Sequence, residues 1–167
     1  MNKVKQYRKK LILISAAVFI ILFKSYVMNR VIVAGDSMES SYKHGDIVWV
    51  EKITKYNRID RFDVVIVKIK GETIIKRVIG LPNETVLIAD GKIYIDGENL
   101  KEEKEVYIND GGIAAEPFHL SDNEYFMLGD NRNASRDSRE IGAVYISQII
   151  GKPIFRFFPL NRIDRLY

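Results

Sequence analysis

Two patterns of hydrophobic and polar positions divide the chain. Leu11 to Phe23 is an apolar run broken only by Ser15. From residue 31 onward the apolar residues fall instead into short β-rich runs punctuated by turn residues, with no long helical period. These runs predict strands over Ile47–Glu51, Asp63–Lys70, Thr73–Ile79, Thr85–Ala89, Lys92–Ile95, Tyr125–Leu128, Val144–Ile150 and Ile154–Phe158. Lys70-Gly71-Glu72 separates two of them, and Asp90-Gly91 and Asp96-Gly97 bracket a short one, as tight hairpin turns require. Residues 98–120 read as a surface excursion between two β blocks, and as the least rigid part of the body. The fold class is mostly β, a multi-sheet or barrel-like domain over residues 29–167 preceded by one N-terminal transmembrane helix.

The apolar run is just long enough for that helix. Leu11–Phe23 covers about 20 Å of helix and extension to Met28 gives about 27 Å, against a hydrocarbon core of about 30 Å. The extension carries Lys24, whose ammonium can snorkel to the interface. A cleaved leader has the same layout. Small residues at −1 and −3 are missing, however: Ala34 has Ile32 at −3, and a cut there would leave Gly35 as the new terminus. The expected organisation is a cytoplasmic basic N-terminus over 1–10, an anchor over 11–28, and an extracytoplasmic body over 29–167.

Charge supports that layout. The net charge is +4, but Lys3, Lys5, Arg8, Lys9 and Lys10 precede the apolar run with no acid among them. Without these five the chain holds 21 basic and 22 acidic residues. A nucleic-acid partner loses its basic patch, and the cluster reads as an orientation signal that keeps the N-terminus inside. There is no cysteine, so disulfides, thiolate metal sites and a cysteine nucleophile are excluded. With only His44 and His119 present, a three-histidine zinc site is impossible. No metal or cofactor is expected.

Three segments carry candidate chemistry. In Val33-Ala34-Gly35-Asp36-Ser37-Met38, a serine beside Gly and Asp sits on accessible backbone, where it is either a turn residue or a nucleophile. In Thr73-Ile74-Ile75-Lys76-Arg77-Val78-Ile79, the apolar residues occupy both faces, which suggests a strand covered on both sides. A lysine there either snorkels from an edge or is desolvated into a neutral base able to activate a serine without histidine. In Met127 to Arg139, the polar loop Gly129-Asp130-Asn131-Arg132-Asn133-Ala134-Ser135-Arg136-Asp137-Ser138-Arg139 is denser than a solvated turn needs. Trp49, Phe155, Phe157 and Phe158 read as core, with a lipid-dipping surface as the alternative.

Together these segments resemble the type I signal peptidases, in the short bacterial form with one N-terminal anchor. The match runs in order through the anchor, Gly35-Asp36-Ser37-Met38, Gly45-Asp46, Arg61-Phe62-Asp63-Val64-Val65, Lys76-Arg77-Val78-Ile79-Gly80-Leu81-Pro82, and Gly129-Asp130-Asn131-Arg132 through Asp137-Ser138-Arg139. The resemblance implies a signal-peptidase-like multi-sheet β domain. It makes Ser37 the acylated nucleophile, Lys76 its general base and Ser135 the hydroxyl that orients the lysine. It places the oxyanion hole at the Ser37 and Gly35 backbone, with the Ser37 N–H carrying more of the role. Met38 is expected to line the site, and Arg77, Asp130, Asp137 and Arg139 to form an ionic scaffold. Two departures stand out. Glu39-Ser40-Ser41 replaces x-Pro-Thr, removing a fixed φ behind the nucleophile, and Arg61-Phe62-Asp63 replaces Arg-Gly-Asp.

The implied activity is a membrane-bound serine endopeptidase that removes signal peptides from exported preproteins after small residues at −1 and −3. Its partners are those preproteins and the lipid bilayer. One alternative is a family member specialised for surface-fibre or pilin assembly, as an enzyme or as a non-catalytic chaperone. Another is a self-cleaving repressor of the related Ser–Lys class, but an apolar segment stands where its DNA-binding helices would be.

Overall fold

The structure is a computed structural model that describes residues 2–52, 59–103 and 106–166, without the side chains of 2–5 and 20–28. Helix α1, Asn2–Val27, is followed with no intervening residue by strand β1, Met28–Ile32. Met28, the last residue of the stretch expected to form the anchor, belongs to the sheet and not to the helix. Among the described residues no helix is long and apolar enough to cross a membrane, and residues 20–28 of the expected span lie outside the described side chains.

Ten of the other strands follow in order: β2 Ile47–Glu51, β3 Val64–Ile69, β4 Glu72–Gly80, β5 Thr85–Ala89, β6 Lys92–Ile95, β7 Glu98–Asn99, β8 Phe118–His119, β9 Glu124–Leu128, β10 Val144–Tyr145 and β11 Ile149–Phe158. Strand β12, Asp164–Arg165, closes the described chain. A short helix α2, Ser138–Ile141, sits between β9 and β10. The strands form an eight-stranded sheet in the order β1-β2-β11-β3-β4-β9-β10, with β12 beside β11, and a four-stranded sheet in the order β7-β6-β5-β8. The domain is thus mostly β with two sheets.

Turn chemistry fixes three of the hairpins. Lys70 and Gly71 (φ 50° and 91°), Asp90 and Gly91 (51° and 73°), and Asp96 and Gly97 (50° and 84°) each place two successive residues at positive φ. That is the backbone of a type I′ turn, whose twist matches the strands it joins.

Three departures from the sequence expectation have clear physical causes. Val144–Ile150 is not one strand: a short 3-10 turn at Ile146–Gln148 breaks it, with the Tyr145 N–H donating to the Gln148 side chain. The described part of the 98–120 stretch is not all surface: Ile108, Ala114 and Leu120 are buried with Val86, Ile88 and Phe126 in the core of the smaller sheet, while residues 104–105 lie outside the described residues. The aromatic group is not core. Trp49 stacks at 5.8 Å on Phe155 and at 5.2 Å on Phe157, yet Trp49 and Phe158 remain 40% and 48% exposed. Ile32 and Leu160 are exposed as well.

Two further apolar clusters bind the large sheet. One joins Val65, Val67 and Val78 to Tyr125, Met127 and Ile149. The other packs Val33, Met38 and Tyr42 onto Val48, Val50, Ile66 and Ile75. The second cluster seats the segment that carries Ser37 directly on the sheet that carries Lys76.

Candidate active site

Lys76 lies on β4 between buried Ile75 and partly buried Arg77, and is itself only 3% exposed. The reason is packing on both sides of β4: Val78 and Ile74 belong to one apolar cluster and Ile75 to another. Both faces are covered, so the charged ammonium is disfavoured. Burial pushes the Lys76 amine below its ordinary value of 10.5, opposed by the negative charges of Asp137 and Asp130.

Ser37 opens a tight turn. The Glu39 N–H donates to the Asp36 carbonyl at 3.1 Å, and the Ser41 and Tyr42 N–H groups donate to the Met38 carbonyl at 2.8 and 2.7 Å. The turn presents the Ser37 hydroxyl to the Lys76 amine, which donates to it at 2.6 Å. Among the described residues that is the amine's hydrogen bond. The Ser135 hydroxyl does not take it. It is buried without a hydrogen-bond partner, packed against Gly129, where an added Cβ would overlap it.

The backbone around the nucleophile differs from the expectation at Gly35. Its N–H donates to His44 Nδ1 at 3.1 Å and is spent, so His44 has a structural task that its exposed, turn-like setting did not reveal. The Ser37 N–H has no hydrogen-bond partner among the described residues. Met38 does not line the site: it is 1% exposed, and its sulfur accepts the Asp130 N–H at 3.3 Å. Its part is to lash the polar loop to the nucleophile turn. The Asn131 N–H reinforces this by donating to the Ser37 carbonyl at 3.0 Å.

The ionic scaffold is continuous. Arg77 grips Asp130 with two hydrogen bonds of 2.7 Å, and the Ser41 hydroxyl donates to the same carboxylate at 2.6 Å. Burial pushes the Asp130 carboxyl up, but the hydrogen bonds from Arg77 and Ser41 and the positive charges of Arg77 and Arg132 hold it below its ordinary value of 3.8. Ser41 thus supplies a hydroxyl where the resemblance has threonine. Asp137 caps α2 by accepting the Arg139 N–H, receives the Arg139 guanidinium at 2.8 Å and accepts the Gly129 N–H at 3.0 Å. One pair had no role assigned from sequence. Arg132 forms a bidentate bridge of 2.6 Å to Glu102 and donates its Nε to the Gly129 carbonyl at 3.0 Å. It braces the polar loop against the 98–120 stretch. A buried arginine one residue beyond Gly-Asp-Asn was the available signal.

Ser37 and Lys76 line a cleft of about 450 Å³ whose apolar walls are Ala34, Ile69, Ile74, Ala134 and Ile141. Beside it, residues 31–34 face residues 73–76 across a narrow groove. β9 pairs with β4 only from Arg77 onward, which leaves the Glu72–Lys76 edge open among the described strands.

Comparisons with known proteins place the chain in a family. The family model described as signal peptidase, peptidase S26, matches residues 6–158. Signal peptidase I of Bacillus amyloliquefaciens is 32% identical over 163 residues, covering 92% of this chain and 88% of that protein. Signal peptidase I S of Bacillus subtilis (strain 168) is 32% identical over 164 residues, covering 92% and 89%. A crystal structure of a signal peptidase I from Enterococcus faecalis V583 has 31% sequence identity and a TM-score of 0.48, covering 57% of this chain and 97% of that one. With a family model that spans most of its length and relatives that align nearly end to end, the chain belongs to the signal peptidase family, peptidase S26.

Proposed function

We propose that this serine endopeptidase removes signal peptides from preproteins with Ser37 as nucleophile and Lys76 as general base. The observation that carries the assignment is the 2.6 Å contact between a buried, pKa-lowered amine and a hydroxyl on the wall of a cleft that mixes apolar side chains with Asp36, Lys70, Glu72 and Arg136. The neutral amine accepts the Ser37 proton as the oxygen attacks the scissile carbonyl. The Ser37 N–H receives the developing oxyanion, a donor worth about 10²–10³ in rate. The ammonium then protonates the departing amine, and Lys76 activates water to release the acyl group. Among the described residues, Ser135 carries the one buried hydroxyl with no partner of its own. We assign it the orientation of the Lys76 amine during the cycle. Arg77, Asp130, Asp137 and Arg139 hold the frame.

The substrate strand fits the open edge of β4 at Glu72–Lys76 by β-augmentation. The side chains of Ile69, Ile74 and Ile141 narrow the apolar part of the cleft, which favours small residues at −1 and −3. In this reading α1 anchors the domain, its basic start faces the cytoplasm, and the exposed Trp49, Phe158, Ile32 and Leu160 meet the lipid surface. The non-catalytic alternative is not favoured, since the amine and hydroxyl it would dispense with are in contact. Ser37→Ala and Lys76→Ala variants tested for preprotein processing decide the assignment. Both are expected to lose cleavage, and full processing by either removes the dyad.

A further inference from the structure

The Gly45-Asp46 segment has no task in the mechanism above, yet Asp46 is 1% exposed and charged. Its two carboxylate oxygens receive separate partners. Oδ2 accepts the Lys43 N–H at 3.0 Å and Arg156 Nη1 at 3.0 Å, while Oδ1 accepts Arg162 Nη1 at 3.0 Å. Arg156 is a buried arginine in the aromatic strand β11. It donates to the Ser41 carbonyl at 2.9 Å, to Asp164 at 2.7 Å and to the Arg162 carbonyl at 2.9 Å, and its guanidinium lies 5.9 Å from the Tyr42 ring centre.

These contacts converge on the same turn that Asp130 holds. Ser41 belongs to both networks. Its hydroxyl joins Arg77 and Asp130, and its carbonyl joins Arg156 and Asp46. Lys43, the exit of the turn, is tied to Asp46 through its N–H. No proline fixes the backbone at Ser40, so the placement of Ser37 depends on what holds the end of its turn. A buried ion pair is weak evidence for stability, because desolvation offsets its attraction. It is strong evidence for geometry when one of its N–H groups is spent on the backbone of a reacting residue's own turn.

We propose that Asp46 and Arg156 are positioning residues for the nucleophile. They form a second clamp that sets the Ser37 oxygen against Lys76 through the Ser41 carbonyl and the Lys43 N–H, and Arg162 keeps the Asp46 carboxylate aimed. The inference rests on the Ser37–Lys76 assignment.

The test uses the full chain in detergent or vesicles with a preprotein substrate. kcat is normalised to the fraction of Ser37 that can be acylated, and Tm is followed alongside. Misplacing a reacting group by about 1 Å can cost about 10²-fold. Asp46→Asn and Arg156→Lys are therefore expected to lower kcat per titrated site by about tenfold to hundredfold, with KM within about twofold and the acidic limb of the pH profile unmoved. Arg162→Ala removes one bond from a more exposed side chain and keeps the fold, and is expected to lower kcat per site by about threefold. Wild-type kcat per titrated site in Arg162→Ala and in whichever of the other two folds, with only Tm reduced, overturns the clamp. Retained cleavage in Ser37→Ala would instead fell the dyad, whatever these variants do.

Discussion

Lys76 Nζ and Ser37 Oγ stand 2.6 Å apart, joined across two elements thirty-nine residues apart in sequence. The pair works only when the amine is neutral. Burial lowers the Lys76 pKa from 10.5, so the neutral fraction grows as pH rises through that lowered value. The rate of preprotein cleavage is expected to climb on the acidic side with a midpoint below 10.5. A flat acidic limb, measured as kcat/KM against pH, would contradict a neutral lysine base. Because the folded state prefers the unprotonated amine, Lys76 also opposes folding more strongly as pH falls.

Asp130 has the opposite sign. Its carboxyl is held below 3.8 in the folded state, so its contribution to stability is full above that value and is lost as pH falls through the lowered one. Asp130→Asn leaves Arg77 short of its charge partner in a half-buried setting. It is expected to cost about 2 kcal/mol at neutral pH, less than the full penalty for a wholly buried pair. Thermal melts from pH 2 to 7 check this: the difference from wild type should shrink only at the acidic end.

Gly129 is where the polar loop crosses the nucleophile turn. A Cβ there would overlap Ser135 and come within 2.5 Å of the Ser37 carbonyl oxygen. Gly129→Ala is expected to reduce kcat by at least about 10²-fold by displacing the reacting groups, while far-UV circular dichroism stays that of a folded β protein. Wild-type turnover in this variant would show that the crossing is looser than drawn.

Phe62 takes φ 71°, where a bulky side chain is disfavoured by about 1–2 kcal/mol. Its backbone is pinned there: its N–H donates to the Val78 carbonyl at 2.8 Å, and its carbonyl accepts Arg77 Nη1 at 2.8 Å. Phe62→Gly removes the strain and loses some burial, so its melting temperature is expected within about 4 °C of wild type. Phe62→Val keeps the strain on a β-branched residue and is expected to fall about 1 kcal/mol below Phe62→Gly. Urea midpoints of the three proteins rank them.

Local chemistry explains why the hairpins were legible. Asp-Gly and Lys-Gly pairs need little beyond their own backbone preferences to turn a chain. Lys76 was legible because a charge amid apolar residues on both faces of a strand must answer for its burial. The same logic applied to Ile154-Phe155-Arg156-Phe157-Phe158 would have marked Arg156, but the aromatic residues drew the reading toward packing. What could not be read was who meets whom. His44 reaches Gly35 and Glu102 reaches Arg132 only through the tertiary fold, and neither spacing carries a local signature. Met38 was misread for a related cause: adjacency to the nucleophile in sequence places its side chain on the opposite side of a tight turn, in the core.

Val27 ends the helix and Met28 begins the sheet, with nothing between them. If α1 anchors the domain, as proposed above, a junction without slack would make the domain a ruler: its cleft would sit at one height above the plane that holds the helix, and a bond would be cleaved only where the substrate's own hydrophobic stretch brings it to that height. Substrate choice would then depend on the length of what lies in the membrane as well as on the small residues that enter the cleft.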